Sequence, residues 1–237
     1  MIELNNVAMG FGERSLFAEV NGRIEPGKFI GLLGNNGCGK STLLRIIYNE
    51  TKSTSGVVKV DTTDINEMDR VSLAHQLAVV LSGRSIVPSM TVYELLVTAR
   101  YPHVGWSGKI DEEGVQLIAK MLVDFDIKEL EHRYLDLLSD GEFQQVMICM
   151  AFVQHTPYII MDEPSSFLDV LRKRNLFKTL KASTQVEKGI VVATHDVHEA
   201  LEFCTHIWLI DGKKLIEYKQ GDVALNEHLN RIFATNF

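Results

Sequence analysis

The run Gly34-Asn35-Asn36-Gly37-Cys38-Gly39-Lys40-Ser41 constrains this chain more than any other feature. It fits the pattern G-x-x-x-x-G-K-[ST], with an apolar, strand-like Phe29–Leu33 before it and a helical Thr42–Tyr48 after it. Each residue type has a mechanical reason. Glycines let backbone N–H groups turn inward and line a nest for the β- and γ-phosphates of a nucleotide, which side chains would obstruct. The following helix presents its positive end to the same anions. Lys40 is expected to place its ammonium between those phosphates, and Ser41, followed by Thr42, to offer a hydroxyl to Mg²⁺. Cys38 reads as a small residue filling space in the loop.

The rest of the chain predicts the frame for this loop. Ile2–Ala8, Leu16–Ile24 and Lys28–Leu33 alternate apolar and polar positions between turn residues and read as strands. Val57–Val60 and Leu77–Leu81 read as further strands. Val92–Ala99, Val115–Phe125 and Phe143–Val153 have helical periodicity, with the loop Tyr101–Gly108 between the first two. Strand signals resume at Tyr158–Met161, Ile190–Ala193 and Ile207–Ile210, with a helix between each pair. Continuously apolar strands of this kind belong in a parallel sheet covered on both faces. The predicted fold class is therefore α/β: a P-loop core with a parallel sheet, an N-terminal antiparallel β layer, and an inserted all-helical subdomain. Residues 1–82 and 158–237 form the core in this reading and 83–157 the insertion.

Bulk properties narrow the function classes. The 237 residues are 46% hydrophobic and 23% charged, as in an ordinary globular protein. A net charge of −7 argues against sequence-independent binding to nucleic acid or anionic lipid. Apolar runs are far short of the ~20 residues that span a bilayer, and Met1-Ile2-Glu3-Leu4 lacks the flank of a signal peptide. A soluble, intracellular chain is expected, with Cys38, Cys149 and Cys204 as free thiols.

Two strand ends carry further chemistry. Tyr158–Met161 runs into Asp162-Glu163-Pro164, and ligands of open α/β sheets sit at such ends. Asp162 is expected in the Mg²⁺ shell, and Glu163 is placed to accept a proton from an attacking water. Ile190–Ala193 ends in Thr194-His195-Asp196, which puts His195 within reach of a γ-phosphate.

Leu138-Ser139-Asp140-Gly141-Glu142, upstream of those acids, closely resembles the LSGGQ signature of ATP-binding-cassette (ABC) ATPases. A serine, a glycine and a helix N-terminus make another anion site. In that family it closes over the ATP held by a second copy, so the resemblance implies a head-to-tail dimer on ATP binding. It also implies that Phe11 stacks on adenine, that Ser165–Asp169 is the D-loop with Asp169 at the subunit contact, and that His195 is the switch histidine. Thr91–Leu95 through Ala99–His103 and Trp106 is similar to cassettes of iron–siderophore, haem and cobalamin importers, in which such a stretch helps form the surface that meets the membrane subunits.

This resemblance implies an ATPase at the inner face of the cell membrane. Its cofactors would be ATP and Mg²⁺, and its partners permease subunits and, indirectly, a substrate-binding protein. A soluble ABC ATPase acting on nucleic acid or ribosomes, or an export cassette, are the alternatives; the single cassette, the lack of sustained heptads and the acidic balance disfavour the first.

Three positions depart from the family pattern. Ser82 stands where the family has a glutamine that reaches Mg²⁺ and the attacking water, Met150 replaces a common arginine, and Glu142 replaces the signature's glutamine. Serine keeps an oxygen but has a shorter reach, so slow basal hydrolysis is expected. A Ser82→Gln variant should release phosphate from ATP faster than the parent; an unchanged or lower rate would count against a missing ligand.

Overall fold

The computed structural model describes residues 1–12, 14–84, 88–104, 109–185 and 188–233. Strands β1 (Ile2–Phe11), β2 (Arg14–Ile24) and β3 (Phe29–Gly34) lead into helix α1 (Lys40–Ile47). Then come β4 (Ser55–Val60), β5 (Thr63–Asp64), α2 (Arg70–Gln76) and β6 (Leu77–Val80). Helices α3 (Val92–Ala99), α4 (Glu112–Asp124) and α5 (Asp140–Val153) follow. The chain ends in alternation: β7 (Tyr158–Asp162), α6 (Val170–Thr184), β8 (Gly189–Ala193), α7 (Val197–Phe203), β9 (His206–Asp211), β10 (Lys214–Lys219) and α8 (Val223–Phe233).

The larger sheet has six strands in the order β10-β9-β3-β8-β7-β6, and the smaller has four in the order β2-β1-β4-β5. In the larger sheet β3, β6, β7, β8 and β9 are mutually parallel along the ladder. Side chains alternate between its faces, and both faces are buried. Ile30 and Leu32 of β3, Val191 and Ala193 of β8, and Ile160 of β7 join the core shared with α1 and the smaller sheet. Their alternates Phe29, Leu33, Ile190, Val192, Ile159 and Met161 pack against α5, α6, α7 and α8. A third apolar cluster lies among α3, α4 and α5. Helix α5 serves two of these cores, Ile148 and Phe152 facing the sheet and Val146, Cys149 and Val153 facing the other helices. This is why its sequence is apolar nearly all round.

To the expected parallel strands the structure adds one antiparallel neighbour. β10 is an antiparallel edge strand, paired to β9 across the two-residue turn Gly212-Lys213 with both φ positive (53° and 82°). β10, α2 and α8 were not legible as elements. α2 buries none of its residues, so no apolar period marks it, and β10 is half-buried and only six residues long. Helices α4 and α5 begin earlier than their apolar periods because Asp111 and Ser139 cap them.

The two sheets meet where Trp208 of β9, fully buried, lies against Gly22 of β2. A Cβ on Gly22 would sit 2.8 Å from the indole. A Gly22→Val variant should lose about 1–3 kcal/mol of stability by overpacking, read as a lower urea midpoint at constant slope.

Candidate nucleotide site

Strand β3 ends at Gly34, whose φ of 149° and surroundings admit only glycine: a Cβ there would meet Cys38 Sγ at 2.7 Å and the Ile210 carbonyl oxygen at 2.8 Å. Gly39 caps α1 in the left-handed region at φ 108°, and no side chain caps the helix. Its first N–H groups are thus left for a ligand. Lys40 Nζ donates to the carbonyls of Gly34 (2.8 Å) and Asn35 (3.5 Å), so the ammonium folds back onto the loop. Burial pushes the Cys38 thiol up despite the nearby Lys40 ammonium.

A cleft of ≈ 490 Å³ beside the loop is lined by Phe11, Leu16, Asn36, Gly37, Gly39, Lys40, Ser41, Thr42 and Glu163. Phe11 is 60% exposed there, a flat ring free to stack on a base. On the other side of Asn36 a second cleft of ≈ 430 Å³ is lined by Gly34, Asn35, His195 and Asp196 among others. The structure thus brings Phe11, the loop, Glu163 and His195 to one edge of the sheet.

Glu163, just past β7, holds a strained φ of 51°. Its N–H donates to the Ala193 carbonyl of β8 (2.9 Å), and its Oε2 lies 2.7 Å from His195 Nδ1. Asp162 beside it is buried, and its Oδ1 has no hydrogen-bond partner among the described residues. A buried carboxylate oxygen without a donor suits a hydrated cation. Asp196 anchors the loop that carries His195: it accepts from Ser165 Oγ (2.5 Å) and Lys173 Nζ (2.8 Å). Burial pushes its carboxyl up, but Lys173 and Ser165 outweigh this and hold it below the usual carboxylate range. Ser82 is exposed beyond the end of β6.

The signature residues Leu138–Glu142 line neither cleft. Ser139 is the N-cap of α5 in a capping box: its Oγ accepts from the Glu142 N–H (3.3 Å), and Glu142 Oε2 accepts from the Ser139 N–H and Oγ (2.8 Å each). Asp169 is the exposed N-cap of α6. Tyr101–His103 forms a single 3₁₀ turn with Tyr101 74% exposed, and Trp106 lies outside the described residues. Sequence reasoning missed three polar contributors: Asp196, Arg84 and Arg133. Asp196 follows His195 in the strand-end run without a role of its own, and the two arginines belong to no motif; partners in space, described above and below, mark all three.

A glycine-rich loop capping a helix, acids and a histidine on adjacent parallel strand ends, and a capped helix start held apart from them fit a P-loop nucleotide-binding cassette. Known proteins agree. The ABC transporter family model matches residues 17–166. The petrobactin import ATP-binding protein FpuC of Bacillus anthracis is 29% identical over 235 residues, 98% of this chain and 86% of that one. The iron(3+)-hydroxamate import ATP-binding protein FhuC of Bacillus subtilis (strain 168) is 28% identical over 236 residues, 98% of this chain and 87% of that one. A dimeric ATP-binding cassette solved with ADP and phosphate superposes with a TM-score of 0.81 at 26% identity, covering 94% of this chain and 100% of that one. This chain belongs to the ABC transporter family, as one of its ATP-binding, ATP-hydrolysing cassettes.

A Lys40→Ala variant should bind ATP roughly 10- to 100-fold more weakly, the loss of charge-assisted hydrogen bonds to phosphate. Titration with a fluorescent ATP analogue checks this, with an unchanged melting temperature as the control for folding.

Proposed function

We propose that the chain is the ATPase subunit of an importer for iron–siderophore complexes, haem or cobalamin, working as a head-to-tail dimer on permease subunits served by a substrate-binding protein. The observation that carries this reading is the separation of two anion-binding features in one chain. The loop Gly34–Ser41 has Glu163 and His195 beside it, whereas Ser139 and Gly141 face neither cleft. A second copy supplies Ser139 and Gly141 to the γ-phosphate of the first. The import roles named for the relatives from the two Bacillus species support the substrate class.

In this reading Phe11 stacks on adenine, and the N–H groups of Asn35–Thr42 and the Lys40 ammonium hold the phosphates. Ser41 and Asp162 would hold Mg²⁺, with Ser82, shorter than the family's glutamine, contributing through a water, and the ion would supply charge neutralisation for the phosphates. Glu163 takes the proton of the attacking water at its carboxylate. His195, oriented by its contact with Glu163 Oε2, meets the γ-phosphate, and Asp169 meets the other copy. Residues 83–157 would move as the lobe that passes closure to the membrane subunits.

Among the described residues no helix is long and apolar enough to cross a membrane; in this reading a membrane-spanning partner carries the solute. The surface we assign to it lies where α2 meets the Tyr101–His103 turn. The rings of His75 and His103 contact edge to face at 4.9 Å, and Val71 and Tyr101 are exposed alongside.

Glu163→Gln should keep ATP binding, lower turnover by about 10²- to 10⁴-fold and accumulate an ATP-bound dimer on size exclusion. Normal turnover would remove Glu163 as the base. Pull-down of the tagged chain from detergent-solubilised membranes should recover a multi-span permease, and its failure would sink the transport reading.

A further inference from the structure

The signature loop of this chain carries two carboxylates, Asp140 and Glu142, where the pattern LSGGQ is uncharged. At the start of a helix acids are favourable to the helix itself. They oppose the approach of a second copy's triphosphate, on which the closed dimer proposed above depends. Each carboxylate is met by an arginine from outside the motif. Arg84 Nη1 donates to Asp140 Oδ1 (2.8 Å), and Arg133 Nη1 donates to Glu142 Oε1 (3.1 Å).

The two guanidinium groups do more than pair charges. Arg84 Nη2 also donates to the carbonyls of Leu135 (3.0 Å) and Leu138 (2.8 Å), and its guanidinium carbon sits 5.2 Å from the centroid of the buried Phe143 ring. It therefore grips the chain on both sides of Ser139, at Leu138 and at Asp140. Arg133 Nη2 donates to the intervening Leu137 carbonyl (2.9 Å). The planar fork of arginine can satisfy a carboxylate and two carbonyls together while covering an aromatic face, which the single ammonium of lysine cannot.

The origin of Arg84 gives the clamp a direction. It lies just beyond β6, in the segment that holds Ser82, and β6 pairs in parallel with β7 up to Val80↔Met161, the residue before Asp162. On the far side of the loop, a Cβ on Gly141 would lie 3.1 Å from the Phe167 carbonyl oxygen in the segment that follows Glu163. The signature turn is thus held between the two segments that leave the catalytic edge of the sheet.

We propose that Arg84, assisted by Arg133, is a positioning residue that both neutralises the acidic signature loop and ties it to the end of β6, so that ATP-driven closure in this chain runs through Arg84 at the place where the family's glutamine is missing. The role in closure rests on the dimer reading above; the clamp itself does not.

Two readouts separate these. Amide hydrogen exchange in the nucleotide-free full chain reads the clamp alone. Arg84→Ala should speed exchange at Ser139–Phe143 by about 10-fold or more, with exchange in β3 and β7 unchanged; no acceleration at Ser139–Phe143 overturns the proposal whatever the dimer does.

ATP-driven dimerisation in the Glu163→Gln background reads closure. There Arg84→Ala should keep the parent's affinity for a fluorescent ATP analogue yet weaken dimerisation by about 10-fold or more, and Arg84→Lys should recover only part. Adding Asp140→Asn to Arg84→Ala should restore part of the loss by removing the unpaired charge. Asp140→Asn alone should dimerise at least as well as the parent. Parent-like dimerisation of Arg84→Ala, or a loss in Asp140→Asn equal to that in Arg84→Ala, overturns the neutralising role. If the Glu163→Gln parent itself stays monomeric with ATP while exchange still accelerates in Arg84→Ala, the head-to-tail reading fails and Arg84 is left a structural clamp without a part in closure.

Discussion

The parallel pairing of β3, β8 and β7 places the chemistry of this protein. Leu32 of β3 lies opposite Ala193 of β8, and Ala193 lies opposite Asp162 of β7. With the strands all running the same way, Gly34, Thr194-His195 and Glu163 leave the sheet at the same edge. Side chains alternate faces every residue, and both faces are packed, so no strand can slip its register without exchanging one buried set for the other. The core therefore fixes the spacing between loop, acid and histidine more firmly than contacts within the site do. The strained backbone of Glu163 is held by the same frame: its N–H is tied to Ala193, the residue that ends β8.

Electrostatics explains how a chain of net charge −7 can host polyphosphate. The acids near the site are individually compensated. Asp196 is tied to Lys173 and Ser165, Asp140 to Arg84, and Glu142 to Arg133 and to the N–H and hydroxyl of Ser139. Those Ser139 groups, then Arg133, hold the Glu142 carboxyl below the usual carboxylate range. Asp162 is different, since its buried Oδ1 has no donor among the described residues. That contrast marks it out as the carboxylate suited to a cation rather than to a protein partner.

Much of the fold was legible because its central strands are apolar on both faces and its longer helices keep a clear period. What escaped was short or half-exposed. α2 has no buried residue, and β10 turns back as an antiparallel edge. At the site, the loop, Asp162-Glu163 and the signature were legible because each packs its chemistry into consecutive residues. Arg84 and Asp196 were not, because each acts on groups far away along the chain: 56 residues separate Arg84 from Asp140 and 31 separate Asp196 from Ser165.

By itself the sequence determined that a glycine-rich loop with the pattern of a phosphate site, Gly34–Ser41, would join a strand to a helix. It also placed the signature-like run Leu138–Glu142 directly ahead of an apolar helix. Only the tertiary structure decided that Glu163 and His195 meet within hydrogen-bonding distance beside that loop, and that the signature turn lines neither cleft around it and is instead gripped by arginines from two other segments. Those relations are set by strand order and packing between residues distant in the chain, and a local pattern of residues carries no record of such distances.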